Sequence, residues 1–315
     1  MCDSGEGTMK LLIIGDIHFT HEPPRARTDQ YPDDILRKLA VVAGMAGKVG
    51  AAVACTGDIF HRKAPEERDI TALIRAFKAM PGGCIYSVLG NHDTGSPGRM
   101  DGTAYECLVE AGVVQDISDR SVSGAAFALT GRAFRPEPGM AYAASSESGL
   151  EVVISHGMLV PEDRPYPFAA TFAGKAAPDR SGVLLVNGHN HGAFDLQNVV
   201  NLGSLCRLNR GEAGPRRILY VNAANGQLTW RPIDLRIRPD DDVFCGEEAA
   251  VDLEAESGKA YRDDKLASFV EAVAQDALTL DAEELLDKIG AAIGKPADRE
   301  EARRYIREAK ERLKA

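Results

Sequence analysis

Long hydrophobic runs are missing from this chain of 315 residues. Its longest apolar stretches, such as 10–15 and 182–186, fall far short of the roughly 18 apolar residues that cross a bilayer as a helix. Residues 1–8 also lack the basic and apolar segments of a secretory signal. We therefore predict a cytoplasmic protein with no membrane partner. The hydrophobic share of 44% is still enough for a folded core, which excludes wholesale disorder.

Paired cysteines are missing as well. The six cysteines form no CxxC pair and show no regular spacing, which argues against a zinc ribbon and a disulfide framework. Cys55 and Cys84 lie inside apolar, strand-like runs, so we interpret them as small buried hydrophobic residues.

The chain has no excess of positive charge, and its formal net charge is −10. This balance argues against a protein that coats nucleic acid with one broad basic face. It leaves room for an enzyme that handles phosphate through metal ions, because bound metals add positive charge. Residues 246–315 hold 18 of the 47 acidic and 12 of the 37 basic side chains, so they account for −6 of the total.

What the chain does contain is an alternation of apolar strands and amphipathic helices. Eight short apolar runs predict buried strands, at 10–15, 51–56, 84–89, 125–130, 151–155, 183–187, 198–202 and 217–222. Helical spacing predicts helices at 33–46, 66–80 and 102–111. The rhythm predicts a layered α/β domain, and the closer spacing of the later strands indicates a mixed sheet or a second packed sheet.

A change in composition near residue 236 indicates a domain boundary. We predict a layered domain at 9–235, a linker at 236–248 and a helical C-terminal region at 249–315. The C-terminal region is either a solvated helical appendage or an element that docks a partner.

Chemically active side chains gather in five short segments at the ends of predicted strands. They are Gly15-Asp16-Ile17-His18, Gly57-Asp58, Gly90-Asn91-His92-Asp93, Ser155-His156-Gly157 and Gly188-His189-Asn190-His191. In open α/β sheets, functional groups meet beyond the carboxyl ends of the strands. Each segment alone could be an ordinary turn, but all five at strand ends are hard to obtain by chance.

The aspartates, imidazoles and one asparagine amide in these segments form a donor set without sulfur. Such a set suits Mn, Fe, Zn or Ni better than Ca or a thiolate-bound metal. It is too large for one ion, whereas two ions that share a bridging carboxylate would use it fully. We interpret His21 as a loop histidine and Asp93 as a supporting turn residue rather than a ligand.

Together, the five segments resemble those of the calcineurin-like metallophosphoesterases, over about residues 9–222. The resemblance implies an α/β fold, a four-layer α-β-β-α sandwich followed here by a C-terminal helical appendage, and two divalent metal ions. The ligands of one ion would be Asp16, His18 and His191. Those of the other would be Asn91, His156 and His189, with Asp58 as the bridge. Mn is the first choice of metal, with Fe, Zn, Ni or Mg as alternatives, and His92 would assist the leaving group.

Some details are similar to the SbcD-type nucleases of DNA repair within this superfamily. Gly57-Asp58-Ile59-Phe60-His61 is similar to their second motif, and the stretch at 200–212 is similar to the one that follows their last motif. This resemblance implies DNA as the substrate, an SbcC-type ATPase as a partner and a homodimer. We therefore expect a metal-dependent DNA phosphodiesterase.

Three residues that flank the motifs are candidate substrate-binding groups, namely His61, Arg99 and Arg207. The simpler interpretation is that most basic side chains near the motifs are solvated surface charges. Two other functions stay open. One is a phosphatase or phosphodiesterase for a nucleotide or another small phosphoester, and the other is a catalytically silent binding scaffold.

Overall fold

The computed structural model of the chain describes residues 8–235 and Phe244, with gaps at 25–26, 28, 96–98, 125, 136–148, 162–170, 173–181, 210–211 and 213. The rest of the predicted linker and the predicted helical region at 249–315 lie outside the described residues. None of the described helices combines the length and apolar character needed to cross a bilayer.

Three α-helices and fourteen strands form the described part of the chain. The helices are α1 (Tyr31–Val49), α2 (Glu67–Lys78) and α3 (Ala104–Glu110). The strands are β1 (Met9–Ile14), β2 (Ala52–Cys55), β3 (Ile85–Ser87), β4 (Val114–Asp116), β5 (Ser121–Ser123), β6 (Ala128–Arg132), β7 (Glu151–Gly157), β8 (Leu159–Val160), β9 (Thr171–Phe172), β10 (Val183–His189), β11 (Phe194–Leu196), β12 (Val199–Asn201), β13 (Arg217–Ala224) and β14 (Gln227–Asp234).

Helix α1 shows how local signals set the limits of an element. Pro32 lies in its first turn, where a missing N–H leaves no hydrogen bond unmade, and Asp33 and Asp34 lie at the positive end of the helix dipole. Gly50 ends the helix with a left-handed φ of 66°, and its N–H donates to the carbonyl of Ala46. The helix thus delivers the chain back to the sheet at β2.

The strands form two mixed six-stranded sheets and one small pair, β8-β9. The first sheet has the order β14-β13-β1-β2-β3-β4, in which β1 to β4 are parallel. The second has the order β11-β12-β10-β7-β6-β5, in which β12, β10, β7 and β6 are parallel. Parallel strands place their carboxyl ends at the same edge of a sheet, so each sheet has one such edge.

Alternate side chains of each strand face different layers of the fold. In β1, Leu12 and Ile14 pack with α1 residues such as Leu39, whereas Leu11 and Ile13 belong to the core between the two sheets. Period-two alternation requires this division, because successive side chains of a strand point to opposite faces. The predicted α/β sandwich with a second packed sheet is therefore confirmed.

The outer face of the second sheet is also apolar. Val153, Leu185 and Val199 pack there with Phe194 and Leu196, all of which come from strands. The three helices in the described ranges all precede β4, so the fourth layer of the predicted sandwich is not among the described residues.

Candidate metal centre

The five predicted segments meet at the carboxyl edges of both sheets. Asp16, Asp58 and Asn91 follow β1, β2 and β3 of the first sheet, while His156 and His189 lie at the ends of β7 and β10 of the second. Their side chains form groups of closely spaced donor atoms that could hold metal ions. The centre therefore takes ligand candidates from two sheets rather than one.

The first group consists of Asp16, His18 and His191. The Nε2 atoms of His18 and His191 lie 3.0 Å apart, and Oδ2 of Asp16 lies 3.9 Å from Nε2 of His191. Two imidazole nitrogens that approach this closely must share either a proton or a cation, since their lone pairs repel each other.

The second group consists of Asp58, His156 and His189, and Oδ1 of Asn91 lies close to both of its histidines. Oδ1 of Asn91 is 3.1 Å from Nε2 of His156 and 2.8 Å from Nδ1 of His189. The asparagine oxygen and the two ring nitrogens thus converge on one point, as the ligands of a metal would.

Asp58 belongs to the second group and also forms a third group with His18 and His92, and in this way it links the two sets of candidate ligands. Its Oδ2 is 3.4 Å from Nε2 of His18 and 3.3 Å from Nε2 of His156. Its Oδ1 accepts a hydrogen bond of 2.9 Å from the backbone N–H of His92, which fixes the orientation of the carboxylate. A carboxylate in this position can serve both groups at once.

Three residues of the centre have left-handed backbone conformations. The φ angles are 49° at His18, 48° at Asp58 and 73° at His189. Such conformations cost about 1–3 kcal/mol each in residues other than glycine, and they concentrate at functional sites. The backbone N–H of His18 donates to the carbonyl of Asp58 at 2.9 Å, so two of these residues hold each other in place.

Two motif glycines are required for space rather than for backbone conformation. A Cβ atom on Gly90 would lie 2.1 Å from Oδ1 of Asp58, and one on Gly188 would lie 2.2 Å from Oδ1 of Asp16. Neither glycine has a positive φ. Each leaves the gap that a buried carboxylate occupies.

The charged groups of the centre shift one another's pKa values. Burial opposes ionisation of Asp58, but the attraction of His156 and His92 outweighs it and holds the pKa of this carboxyl well below its usual range. Burial lowers the pKa of the His156 imidazole, yet the charges of Asp58 and Asp16 outweigh this effect and raise it to about 9. Burial is also the main cause that raises the pKa of Asp16 to about 6.

The donor set fits divalent metal ions. A proton on His156 supplies positive charge between two buried carboxylates, and a cation bound there would supply that charge instead. Burial lowers the pKa of His189 to about 3 and that of His18 well below its usual range, so both rings stay neutral and can act as ligands. In the described part of the chain, the buried Nδ1 atom of His18 has no hydrogen-bond partner.

His92 and His61 lie side by side at this centre. Their rings are stacked with centroids 6.1 Å apart, and Nδ1 of His92 is 2.7 Å from the carbonyl oxygen of His61. The ring of His18 lies 5.0 Å from that of His92 and 5.7 Å from that of His61. The structure thus brings His61 to the centre, although its sequence context gave it little support.

The two arginines that were candidate substrate-binding residues, Arg99 and Arg207, contact other side chains of the protein. Arg99 is exposed and pairs with Asp101 at 2.9 Å, while the guanidinium of Arg207 lies 4.9 Å from the centroid of the Phe244 ring. Phe244 lies in the predicted linker, and it forms an antiparallel bridge with Arg27.

Asp93 and His21 belong to none of the candidate metal groups among the described residues. Asp93 accepts hydrogen bonds from the backbone N–H groups of Gly90, Ile59 and Phe60. Nδ1 of His21 contacts Asp69 in the first turn of α2.

Sequence reasoning missed the supporting roles of Thr56 and Glu212. The hydroxyl of Thr56 donates to Oδ1 of Asp16 at 2.8 Å, and its carbonyl lies 2.8 Å from Nδ1 of His156. Oε1 of Glu212 lies 2.8 Å from Nδ1 of His191. Thr56 directly precedes Gly57-Asp58, a weak signal, whereas Glu212 lies 21 positions from its partner, beyond the reach of a local pattern.

Comparisons with known protein families and solved structures give a family match and structural similarities. A family model described as calcineurin-like phosphoesterase matches residues 9–217. No curated protein sequence matches the chain. Among solved structures, the chain is similar to one described as "Crystal structure of a putative diadenosine tetraphosphatase", with 16% identity and a TM-score of 0.32 over 71% of this chain and 93% of that chain.

Proposed function

This chain belongs to the calcineurin-like phosphoesterase family, and from that premise we propose that it is a metal-dependent phosphodiesterase that cleaves DNA. The observation that carries the proposal is the position of Asp58. One of its oxygens lies within 3.4 Å of a ring nitrogen in each of the two ligand groups. A carboxylate that serves both groups is what a centre with two metals requires.

The ligands would divide into two sets that share Asp58. Asp16, His18 and His191 would hold one ion, and Asn91, His156 and His189 would hold the other. Two divalent ions bound here would acidify the attacking water and neutralise the phosphoryl oxygens. Mn is the metal to test first, because it accepts nitrogen and oxygen donors without sulfur, and Fe, Zn, Ni and Mg are the comparison set.

His92 is proposed to deliver a proton to the leaving group. The carbonyl oxygen of His61 can only accept a hydrogen bond, so Nδ1 of His92 donates to it and Nε2 stays available. In hydrolysis the water oxygen bonds to phosphorus, the bond from phosphorus to the leaving oxygen breaks, and that oxygen takes up a proton. Nε2 of a protonated His92 can donate this proton.

His61 is proposed to contact the substrate next to His92. The two rings stack, and Nδ1 of His61 is a buried atom with no hydrogen-bond partner among the described residues. Burial lowers the pKa of His61 to about 4, so its ring is neutral at pH 7 and can donate or accept a hydrogen bond without adding charge.

One observation favours a second candidate substrate, a nucleotide or another small phosphoester. A polyanion requires several cationic contacts, but Arg99 is paired with Asp101 and Arg207 lies against Phe244. A small ester would need little beyond the metal centre and His92.

One assay separates these functions. Protein loaded with Mn is incubated with single- and double-stranded DNA, a model phosphodiester and a model phosphomonoester, with the Asp58→Asn protein as control. The proposal expects cleavage of DNA and of the diester that the control lacks. Cleavage of the small esters alone would replace DNA by the small substrate, and no cleavage by either protein would leave a binding scaffold.

Further proposals concern partners and compartment. We propose an SbcC-type ATPase as a partner of residues 249–315 and a homodimer as the assembly. Pull-down with the full chain and with a chain ending at residue 248 tests the first proposal, and sedimentation tests the second. A cytoplasmic location agrees with the four cysteines in the described ranges, Cys55, Cys84, Cys107 and Cys206, which are all free thiols.

A further inference from the structure

Glu212 is a buried carboxylate next to the metal centre. It is 3% exposed and accepts hydrogen bonds on both oxygens. Oε1 lies 2.8 Å from Nδ1 of His191 and accepts from Nδ2 of Asn209 at 3.1 Å. Oε2 accepts from the backbone N–H of Leu208 at 2.9 Å and from the hydroxyl of Ser204 at 3.0 Å.

The two nitrogens of His191 face different partners. Nδ1 contacts Glu212, whereas Nε2 lies 3.0 Å from Nε2 of His18 and 3.9 Å from Oδ2 of Asp16. A carboxylate accepts a hydrogen bond, so the hydrogen of the neutral ring must lie on Nδ1. The lone pair is then on Nε2, the atom that faces the centre.

We propose that Glu212 is a positioning residue for the metal centre, which fixes the tautomer and ring orientation of His191 so that Nε2 presents its lone pair to a divalent cation. The inference rests on the proposed function, because that function identifies a divalent cation as the ligand of this centre. It adds a residue outside the five segments, and it assigns Glu212 a task in metal affinity.

The surroundings of Glu212 require a carboxylate rather than an amide. Nη1 of Arg216 lies 3.7 Å from Oε2, so the buried negative charge has a positive partner. The same guanidinium nitrogen donates to Oγ of Ser204 at 2.7 Å, which leaves the Ser204 hydrogen for Glu212. A glutamine has one acceptor oxygen, so its NH₂ group would face donors on one side or the other. Carboxylates bound to a ligand histidine also raise its basicity.

The test compares Glu212→Gln with Glu151→Gln. Glu151 is a matched control, because it is fully buried and accepts a hydrogen bond of 2.6 Å from the Thr130 hydroxyl. It lies at the start of β7, five residues from His156 and therefore about 16 Å from it along the strand. Zinc binding is measured by calorimetry on metal-free full-length protein, and the ring nitrogens of His191 are observed by ¹⁵N NMR.

We expect the Glu151→Gln protein to bind two zinc ions, each with the same affinity as in wild type. Glu212→Gln should bind one ion normally and the other about 10- to 100-fold more weakly, and its His191 ¹⁵N signals should shift, because a neutral amide replaces the charged partner of Nδ1. Two normal sites in Glu212→Gln, or an unchanged His191 signal, would overturn the inference. So would a loss of affinity that Glu151→Gln shows equally, since that would be a structural effect.

Failure of the proposed function gives a different result. Wild-type protein that binds two zinc ions but cleaves no phosphoester would contradict the proposed activity and leave the role of Glu212 intact. Wild-type protein that binds no zinc would contradict both the metal centre and its positioning by Glu212.

Discussion

At the residue scale, the centre depends on side chains that are unusual for their surroundings. Asp16 and Asp58 are carboxylates with almost no exposure to water, and His18, Asp58 and His189 have left-handed backbones. Burying an ionised carboxylate is costly unless positive charge lies beside it. A role as metal ligands would therefore explain both the burial of the carboxylates and the strained backbones.

The first prediction separates metal binding from proton transfer. Asp58→Ala should lose bound metal and activity together, since this side chain serves both groups. His92→Ala should keep both ions and lower kcat by about 10²- to 10⁴-fold, the usual contribution of a general acid. Metal content by elemental analysis and kcat on a diester check this. Loss of one ion in His92→Ala would make His92 a ligand instead.

The second prediction concerns the space at Gly90. Gly90→Ala would place a methyl group 2.1 Å from Oδ1 and 2.2 Å from the backbone nitrogen of Asp58, so the carboxylate must move. We expect reduced metal affinity and a lower Tm. Gly95→Ala is the matched control, because the nearest described atoms to its Cβ would be the Thr103 methyl at 3.5 Å and the Asp101 carbonyl oxygen at 3.9 Å, both ordinary contacts. Equal metal affinity in the two variants would contradict this account.

Residue patterns predicted the ligand candidates but not their supports. The five segments can be recognised in the sequence because their motif residues and glycines are adjacent. Thr56 and Glu212 are ordinary residues in ordinary contexts, and their roles follow from partners that are 40 and 21 positions away. No local pattern encodes such a pairing.

At the element scale, the sequence predicted the buried elements and missed the edges. The strands β1, β2, β7 and β10 have continuous apolar runs, and all three helices were predicted within a few residues of their limits. The strands β4, β5 and β11 have three residues each, and β14 is largely exposed. Short edge strands exist because a neighbour pairs with them, so their own sequence carries little signal.

The third prediction belongs to helix α1. Gly44 lies in the interior of this helix and Gly47 in its last turn; both are exposed, and a Cβ at either position would meet no described atom within 4 Å. Alanine costs less backbone entropy there, so each Gly→Ala change should raise the free energy of unfolding by about 0.5–1 kcal/mol. Urea denaturation measures it. Gly50→Ala should destabilise instead, because φ is 66° at that position.

At the scale of the whole molecule, the centre joins the two sheets. Asp16 and Asp58 come from the first sheet, and His156 and His189 come from the second. Ions bound between them would interact with the native state alone, because the unfolded chain does not bring these ligands together.

The fourth prediction follows from this arrangement. Metal at 100 times its Kd should add about 2.7 kcal/mol to the free energy of unfolding, which corresponds to a rise in Tm of about 5–10 °C for a domain of this size. A chelator should remove this gain, and calorimetry with and without it gives the shift. Asp58→Asn protein should show little dependence on the chelator. A wild-type Tm that does not change when metal is added or removed would contradict the proposed metal centre.

The position of β1 also determines the order in which the molecule can be completed during synthesis. β1 pairs with β2 on one side, but its neighbour on the other side is β13, with Met9 opposite Ala223. In the nascent chain, one edge of β1 therefore stays unpaired until Arg217–Ala224 has emerged from the ribosome. An unpaired strand edge can pair with another chain and aggregate. His18 and His191 are 173 positions apart, so the last ligand arrives only shortly before that strand. Nascent chains of this protein should therefore depend on chaperones until β13 has emerged, and catalysis cannot begin before His191 has been synthesised.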